Sequence, residues 1–245
     1  MARRSTLFGE KDLKFYNFGG SMIGSSKKTK KNKNNDEEKE ETAGAAEIIS
    51  LFSSQPEQPS LRMTGIYGDI NEEKASEALY GLLMLASRTR MMPEDPEDEE
   101  STLVEVVEPI EFVVSTYGGS ANEMFALFDA IRMLQDTGPE ILTIGLGKVM
   151  SAGVLLLASG TKGKRRIGRN CRIMIHGVIS GQSGNLIDIE NEFDEAKSTQ
   201  KQYIKALASQ TNMTEKYLRE LIKRKTNVYF DAEEAVELGI ADLII

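Results

Sequence analysis

The stretch Ile144-Gly145-Leu146-Gly147-Lys148-Val149-Met150-Ser151-Ala152-Gly153 passes from an apolar strand through small residues into a helix. An earlier stretch, Val113-Val114-Ser115-Thr116-Tyr117-Gly118-Gly119-Ser120, has the same layout. Turns of this kind leave backbone N–H groups facing outward at a helix start, where they can receive an anion or a developing oxyanion. Glycine turns can also serve packing alone. The two turns therefore indicate an α/β fold but do not by themselves indicate a function.

Strands and helices alternate on both sides of these two turns. Strands are predicted at Leu61–Tyr67, Ile110–Ser115, Ile141–Leu146, Arg165–Gly168 and Arg172–His176. Helices are predicted at Asn71–Arg88, Asn122–Gln135, Ser151–Ser159, Leu186–Ser209, Thr214–Lys225 and Ala232–Leu238. This alternation is typical of an α/β domain with right-handed crossovers. The acidic, proline-broken run 92–100 is interpreted as an exposed inserted loop.

Residues 1–60 differ in composition from the rest, so we predict an N-terminal segment over 1–60 and a packed domain over 61–245. A lysine-rich block at 27–33 is followed directly by an acidic block at 36–41. Such a segment buries too little apolar surface to offset chain entropy, which predicts a mobile charged loop over 24–42. The alternative, a nucleic-acid or partner contact through the lysines, is weakened by the neighbouring acids. A short helix is predicted at 43–53.

The composition excludes several classes of protein and of site. The chain has 245 residues, a net charge of −8, one cysteine and one histidine, which are Cys171 and His176. Neither an internal disulfide nor a multi-histidine or cysteine-based metal site can form, and the negative charge argues against a general nucleic-acid binder. The apolar runs are too short to cross a bilayer, and the N-terminus lacks an apolar signal core. We therefore expect a cytoplasmic protein without a membrane contact.

Two residues could carry hydrolytic chemistry, but each has an ordinary structural explanation. Ser151 is not in a G-x-S-x-G elbow, because Val149 stands where the first glycine should be. Taken alone, Ser151 is better explained as a helix N-cap, and His176 as a structural histidine at the end of an apolar strand. A catalytic role for the two residues requires support from motifs elsewhere in the chain.

A series of motifs between Met63 and Asp242 includes both Ser151 and His176. Together these motifs resemble the ClpP family, the proteolytic subunits of ATP-dependent Clp proteases. The motifs are Gly118-Gly119-Ser120, Ser151-Ala152-Gly153, Ala158-Ser159-Gly160-Thr161-Lys162-Gly163-Lys164-Arg165, Met174-Ile175-His176, Asp188-Ile189-Glu190 and 234–242. Their order agrees with the family, as does the 25-residue step from Ser151 to His176.

The resemblance implies a ClpP/crotonase-like core of repeated β-β-α units with a protruding handle helix. It also implies that Ser151 is the nucleophile and His176 the general base, and that the N–H groups of Gly119 and Ala152 form the oxyanion hole. Alignment back from residues 234–236 places Asn227 where the family has its triad aspartate. An asparagine can orient a histidine but lacks the charge that stabilises the imidazolium, so we expect a weakened serine endopeptidase.

Partners follow from the resemblance as well. Family members form seven-membered rings, stacked as a tetradecamer, that take unfolded polypeptide from an AAA+ unfoldase, and no cofactor is expected. Tyr117 replaces the proline that usually precedes the two glycines, and 88–109 carries an acidic insertion, which favours a dedicated unfoldase. The apolar stripe of helix 186–209, including Phe193, Tyr203 and Leu207, is interpreted as a partner surface.

Two alternatives remain open at this point. One is a catalytically impaired structural (ClpR-like) subunit of a mixed ring, which Asn227 favours and the retained Ser151 and His176 oppose. The other is a crotonase-like acyl-CoA enzyme, which shares the fold but would make the spacing from serine to histidine accidental.

Overall fold

A computed structural model describes residues 61–88, 90–94, 101–224 and 226–245 of the chain. The expectations for the first 60 residues lie outside this range. The described residues fall within one unit, Pro59–Ile245. None of their helices is both long and apolar enough to span a bilayer.

A seven-stranded sheet forms the centre of the fold. Its strands are β1 (Met63–Ile70), β4 (Ile110–Gly119), β5 (Ile141–Met150), β6 (Arg166–Ile167), β7 (Arg172–Ile175), β8 (Val228–Phe230) and β9 (Leu243–Ile244). The main order is β1-β4-β5-β6-β9, with β7 lying between β5 and β8. All of these pairs are parallel except β7 with β8. The prediction of an α/β fold is confirmed.

Six helices accompany the sheet in the described part of the chain. They are α1 (Glu72–Ala86), α2 (Ala121–Thr137), α3 (Ala152–Ala158), α4 (Leu186–Gln210), α5 (Glu215–Lys223) and α6 (Ala232–Glu237). Side chains cap several of them: the Asn71 side chain accepts the N–H of Lys74 at 3.0 Å before α1. Every residue of α3 is buried, as expected for a helix covered on all sides by its neighbours.

Strand β5 is the element that positions the site, because it pairs with two different strands on one side. Its first half pairs with β6 through Ile144 and Gly145. Its second half pairs with β7, with Met150 opposite Met174. Because the second half of β5 pairs with β7, the carboxyl ends of these two parallel strands lie side by side. Functional side chains commonly lie at the carboxyl ends of parallel strands.

The predicted elements needed three corrections. Strands β4 and β5 continue past their predicted ends, so Gly118 and Gly119 belong to a strand and not to a separate turn. Residues 92 and 93, expected in an exposed loop, belong to β2 (Arg90–Pro93), which pairs antiparallel with β3 (Leu103–Val106), and the rest of that prediction, 95–100, lies outside the described residues. Strands β8 and β9 had no predicted counterpart, since three-residue and two-residue strands carry too little periodicity to be recognised.

Candidate active site

Ser151 is the single residue between strand β5 and helix α3. Its backbone has φ 53° and ψ −120°, which makes it the one non-glycine residue with positive φ among those described. It occupies the N-cap position of α3, but its side chain makes no capping hydrogen bond. Ser151 is therefore the N-cap residue by position, as predicted, but its side chain does not cap the helix. Strain of this kind costs about 1–3 kcal/mol and concentrates at functional sites.

Backbone and side-chain contacts from three elements hold Ser151 in this conformation. Its N–H donates to the carbonyl oxygen of Met174 at 2.7 Å. Its own carbonyl oxygen accepts the N–H of Val154 and the hydroxyl of Tyr203, each at 3.1 Å. The Ser151 main chain is thus fixed on both sides, while its hydroxyl is left without a structural partner in the described residues.

Gly118 packs directly against Ser151 and has φ 107°. A Cβ atom at this position would lie 2.7 Å from the Ser151 Cβ and 3.1 Å from its Oγ. The side chain of buried Thr116 secures the bend, because its Oγ1 accepts the Gly118 N–H at 2.9 Å. A glycine is therefore required here by both backbone conformation and space.

His176 follows strand β7 immediately and borders two clefts. The first cleft, about 350 Å³, has both His176 and Ser151 in its wall. The second, about 590 Å³, has both His176 and Asn227 in its wall. His176 therefore shares one cleft with Ser151 and the other with Asn227.

Asn227 reaches this position through the pairing of β7 with β8. Ile175 lies opposite Val228 in the antiparallel register, so Asn227 comes next to His176 where the two strands end. Asn227 is exposed, whereas His176 is half-buried. Across the described chain, no hydrogen bond within 3.5 Å links the imidazole to Ser151 or to Asn227. Catalytic hydrogen bonds are often long before substrate binds, so this spacing is compatible with a triad.

The predicted oxyanion donors, Gly119 and Ala152, both line the cleft that contains Ser151. Ala152 is the first residue of α3, so its N–H has no acceptor within the helix. Gly119 ends β4 with φ 151°, and a Cβ there would lie 2.2 Å from the carbonyl oxygen of Ile70. The cleft therefore brings together the serine, the histidine and both backbone donors. The remaining residues that line it are Tyr117, Ser120, Ala121, Met124, Gly177, Val178, Ile179, Thr199 and Tyr203.

No aspartate or glutamate lines either cleft in the part of the chain that the structure describes. Asp231 is the N-cap of α6, where its Oδ1 accepts the Glu234 N–H at 2.9 Å. Asp188 lies in the first turn of α4, where its Oδ2 accepts an N–H of the Asn185 side chain at 2.5 Å. Both acids are thus used at helix starts. The position beside His176 is left to Asn227.

Other reactive groups are far less suited to nucleophilic chemistry. Burial raises the pKa of the Cys171 thiol to about 11, so the thiol stays protonated near neutral pH. In the residues described, no group of three or more His, Cys, Asp or Glu side chains could hold a metal ion. Cys171 is therefore not a competitor of Ser151 as a nucleophile.

Sequence reasoning misplaced Tyr203 and did not single out Thr116. Tyr203 and Leu207 were expected on a partner surface, but they are 6% and 0% exposed, and the prediction is wrong for both. The apolar residues Tyr203, Ile204 and Leu207 recur at helical spacing, which is the signal for a face packed on the core. Thr116 carries no comparable signal, because its role depends on the glycine that follows two residues later.

The fold and the cleft first define a class of protein. A serine on a strained turn between a strand and a helix, in one cleft with a histidine, is the arrangement typical of α/β serine hydrolases. A comparison with protein families then gives the particular family: the family model described as Clp protease matches residues 102–245. The chain belongs to the Clp protease family, as its motifs predicted, and members of this family are in general serine peptidases.

Proposed function

We propose that this chain is a serine endopeptidase of the Clp type that cleaves unfolded polypeptides inside a ring-shaped compartment. The observation that carries the proposal is the strained turn at Ser151, which lies in the same cleft as His176. A capping serine would need neither the positive φ nor a hydroxyl free of structural bonds. Membership of the Clp protease family supports the peptidase over an acyl-CoA enzyme of similar fold.

In the proposed reaction, the Ser151 hydroxyl attacks the carbonyl carbon of the scissile peptide while His176 takes its proton. The N–H groups of Gly119 and Ala152 stabilise the negative oxygen of the tetrahedral intermediate, which is worth about 2.7–4 kcal/mol per donor. His176 then gives the proton to the leaving amine, and the C–N bond breaks. Water attacks the acyl-enzyme in the same manner, which releases the second product and restores Ser151.

Asn227 would orient His176 by accepting a ring N–H with its amide oxygen. It cannot supply the negative charge that stabilises the imidazolium formed in each step. In chymotrypsin-type proteases, Asp→Asn at the equivalent position lowers kcat about 10⁴-fold. We therefore propose a slow peptidase whose rate is limited by this substitution.

The proposed assembly is a pair of stacked seven-membered rings fed by an AAA+ unfoldase in the cytoplasm. Helix α4 supports a role in assembly, because its first half carries apolar side chains in solvent: Ile187 is 69% exposed and Phe193 is 60% exposed. Exposed apolar residues concentrated on one half of a helix are typical of a surface that a partner covers. The second half of the same helix is packed into the core.

The runner-up function is a structural (ClpR-like) subunit with little activity, which completes a mixed ring. The absence of any carboxylate from the two clefts of the described chain favours it. Under this alternative, Ser151 and His176 would remain in place but would not turn over substrate.

A fluorophosphonate probe separates these functions when it is applied to the wild type and to Ser151→Ala. The peptidase predicts labelling of the wild type that disappears in the variant, together with slow hydrolysis of an unstructured peptide. The structural subunit predicts no labelling of either protein, with rings intact by light scattering. Hydration of an enoyl-CoA would support the acyl-CoA enzyme.

A further inference from the structure

Tyr203 links helix α4 to the main chain of Ser151. Its ring is buried, and its hydroxyl donates to the Ser151 carbonyl oxygen at 3.1 Å. Burial raises the pKa of the Tyr203 phenol well above its ordinary value, so the hydroxyl keeps its proton throughout the neutral range. Tyr203 also lines the cleft that contains Ser151 and His176. A donor from a distant part of the sequence is therefore fixed at the turn.

The atom that Tyr203 contacts belongs to the same peptide unit as a predicted oxyanion donor. The carbonyl of Ser151 and the N–H of Ala152 are the two ends of one planar peptide bond, and they point in opposite directions. Any contact that fixes the direction of the carbonyl therefore fixes the direction of the N–H. The only other donor to this carbonyl among the described residues is the N–H of Val154, at 3.1 Å.

Strain makes such a contact necessary. Ser151 has φ 53°, a conformation that a residue with a side chain adopts only when its surroundings enforce it. Rotation of the Ser151–Ala152 peptide would relieve the strain and turn the Ala152 N–H out of the cleft. A hydrogen bond to the carbonyl opposes that rotation. It also polarises the peptide, which strengthens the N–H as a donor to an oxyanion.

We propose that Tyr203 is a positioning residue for the oxyanion hole, because its hydroxyl holds the Ser151–Ala152 peptide with the Ala152 N–H directed into the cleft. This inference rests on the proposed function, since an oxyanion forms only if Ser151 attacks a substrate. Tyr203 itself acts through the peptide, not on the reacting atoms.

The test is Tyr203→Phe, which keeps the buried ring and removes only the hydroxyl. We expect kcat for a peptide substrate to fall about tenfold while KM changes less than twofold, since the lost interaction matters when the oxyanion forms. A peptide aldehyde, which forms an oxyanion with Ser151, should bind about tenfold more weakly. A product-like peptide, which forms none, should bind as before. Tyr80→Phe on the exposed face of α1 is the matched control and should change none of these values.

A packing role for Tyr203 would give a different result. Equal weakening of the aldehyde and of the product peptide, or a kcat unchanged from the wild type, would overturn the inference. Thermal unfolding and native mass spectrometry establish that the variant is folded and assembled. Fluorophosphonate labelling of wild-type Ser151 shows whether the proposed function itself holds. If the wild type is labelled and Tyr203→Phe keeps the wild-type kcat, only the inference about Tyr203 is overturned. An unlabelled wild type overturns both.

Discussion

The backbone N–H of Ser151 donates a hydrogen bond of 2.7 Å to the carbonyl oxygen of Met174, two residues before His176. This bond continues the parallel pairing of β5 with β7, in which Met150 lies opposite Met174. The candidate nucleophile and base are therefore placed by strand register and not by independent loops. Sites built on strands hold their geometry more closely than sites built on loops, which suits a reaction that depends on proton transfer.

Asn227→Asp should increase peptide hydrolysis by about tenfold or more, because a carboxylate beside His176 would stabilise the imidazolium that Asn227 cannot. The measurement is kcat/KM on an unstructured fluorogenic peptide. Asn170→Asp adds the same charge at an exposed position and should leave the rate unchanged. A rate that stays equal or falls in Asn227→Asp would mean that Asn227 does not contact His176 during catalysis.

Gly118→Ala should abolish labelling of Ser151 by a fluorophosphonate. The added methyl group would lie 2.7 Å from the Ser151 Cβ, so the turn must move. Gly147→Ala is the matched control, since Gly147 also has positive φ but has no atom within 4 Å of an added Cβ. We expect both variants to lose about 1–2 kcal/mol of stability from backbone strain, but only Gly118→Ala to lose labelling. Equal labelling of the two variants would contradict the packing argument.

Phe193→Glu should separate stacked rings without dissolving each ring. The substitution places a charge in the exposed apolar half of α4, a surface that we propose lies between the two stacked rings. Native mass spectrometry should show the double ring replaced by the single ring. Lys201→Glu changes the charge of the same helix at an exposed position without removing an apolar side chain, and it should leave the double ring intact. Double rings in both variants would place the contact elsewhere.

Asp242→Asn should destabilise the fold by about 3 kcal/mol, because it leaves the buried guanidinium of Arg165 without its charged partner. Asp242 now accepts from Arg165 at 2.8 Å and 2.5 Å, and the Arg165 side chain is only 3% exposed. Glu220→Gln removes one partner of an exposed ion pair with Lys223 and should change the unfolding free energy by less than about 1 kcal/mol. Chemical denaturation measures both variants.

The ion pair between Asp242 and Arg165 also predicts how the stability of the fold depends on pH. Burial alone would raise the pKa of Asp242, but the hydrogen bonds and the positive charge of Arg165 outweigh it and lower the pKa below its ordinary value. A carboxyl whose pKa is lowered in the folded state contributes stability that is present above its unfolded pKa and lost as pH falls through the folded value. Thermal stability of the wild type should therefore decline below about pH 4 more steeply than that of Asp242→Asn. Parallel declines would argue against the pair.

Much of the fold could be predicted because its signals are local. The helix at α1 was placed to within two residues, since Asn71 and the apolar spacing mark its start and its buried face. The ribbon of β2 and β3 was missed, because an acidic, proline-containing run has the composition of a loop and its pairing depends on two short flanking segments. The ends of β4 and β5 were missed because glycines, which usually end a strand, continue these two.

The candidate site shows a similar division. Ser151, His176 and Asn227 could be proposed from motif spacing, and the structure brings all three to adjoining clefts. The strain at Ser151 could not be predicted, because it arises from contacts with Gly118, Met174 and Tyr203 that are distant in sequence. Tyr203 was assigned to the wrong surface because one amphipathic pattern covers two halves of α4 with different surroundings.

The positive φ of Ser151 is a backbone conformation that a residue with a side chain disfavours, so its neighbours must hold it there. A glycine there would adopt φ 53° without steric cost, so Ser151→Gly should yield a chain that is inert and yet harder to unfold. Selection for stability alone would therefore favour glycine over serine at position 151. With Ser151 as the proposed nucleophile, the hydroxyl in this turn is kept at a cost in stability.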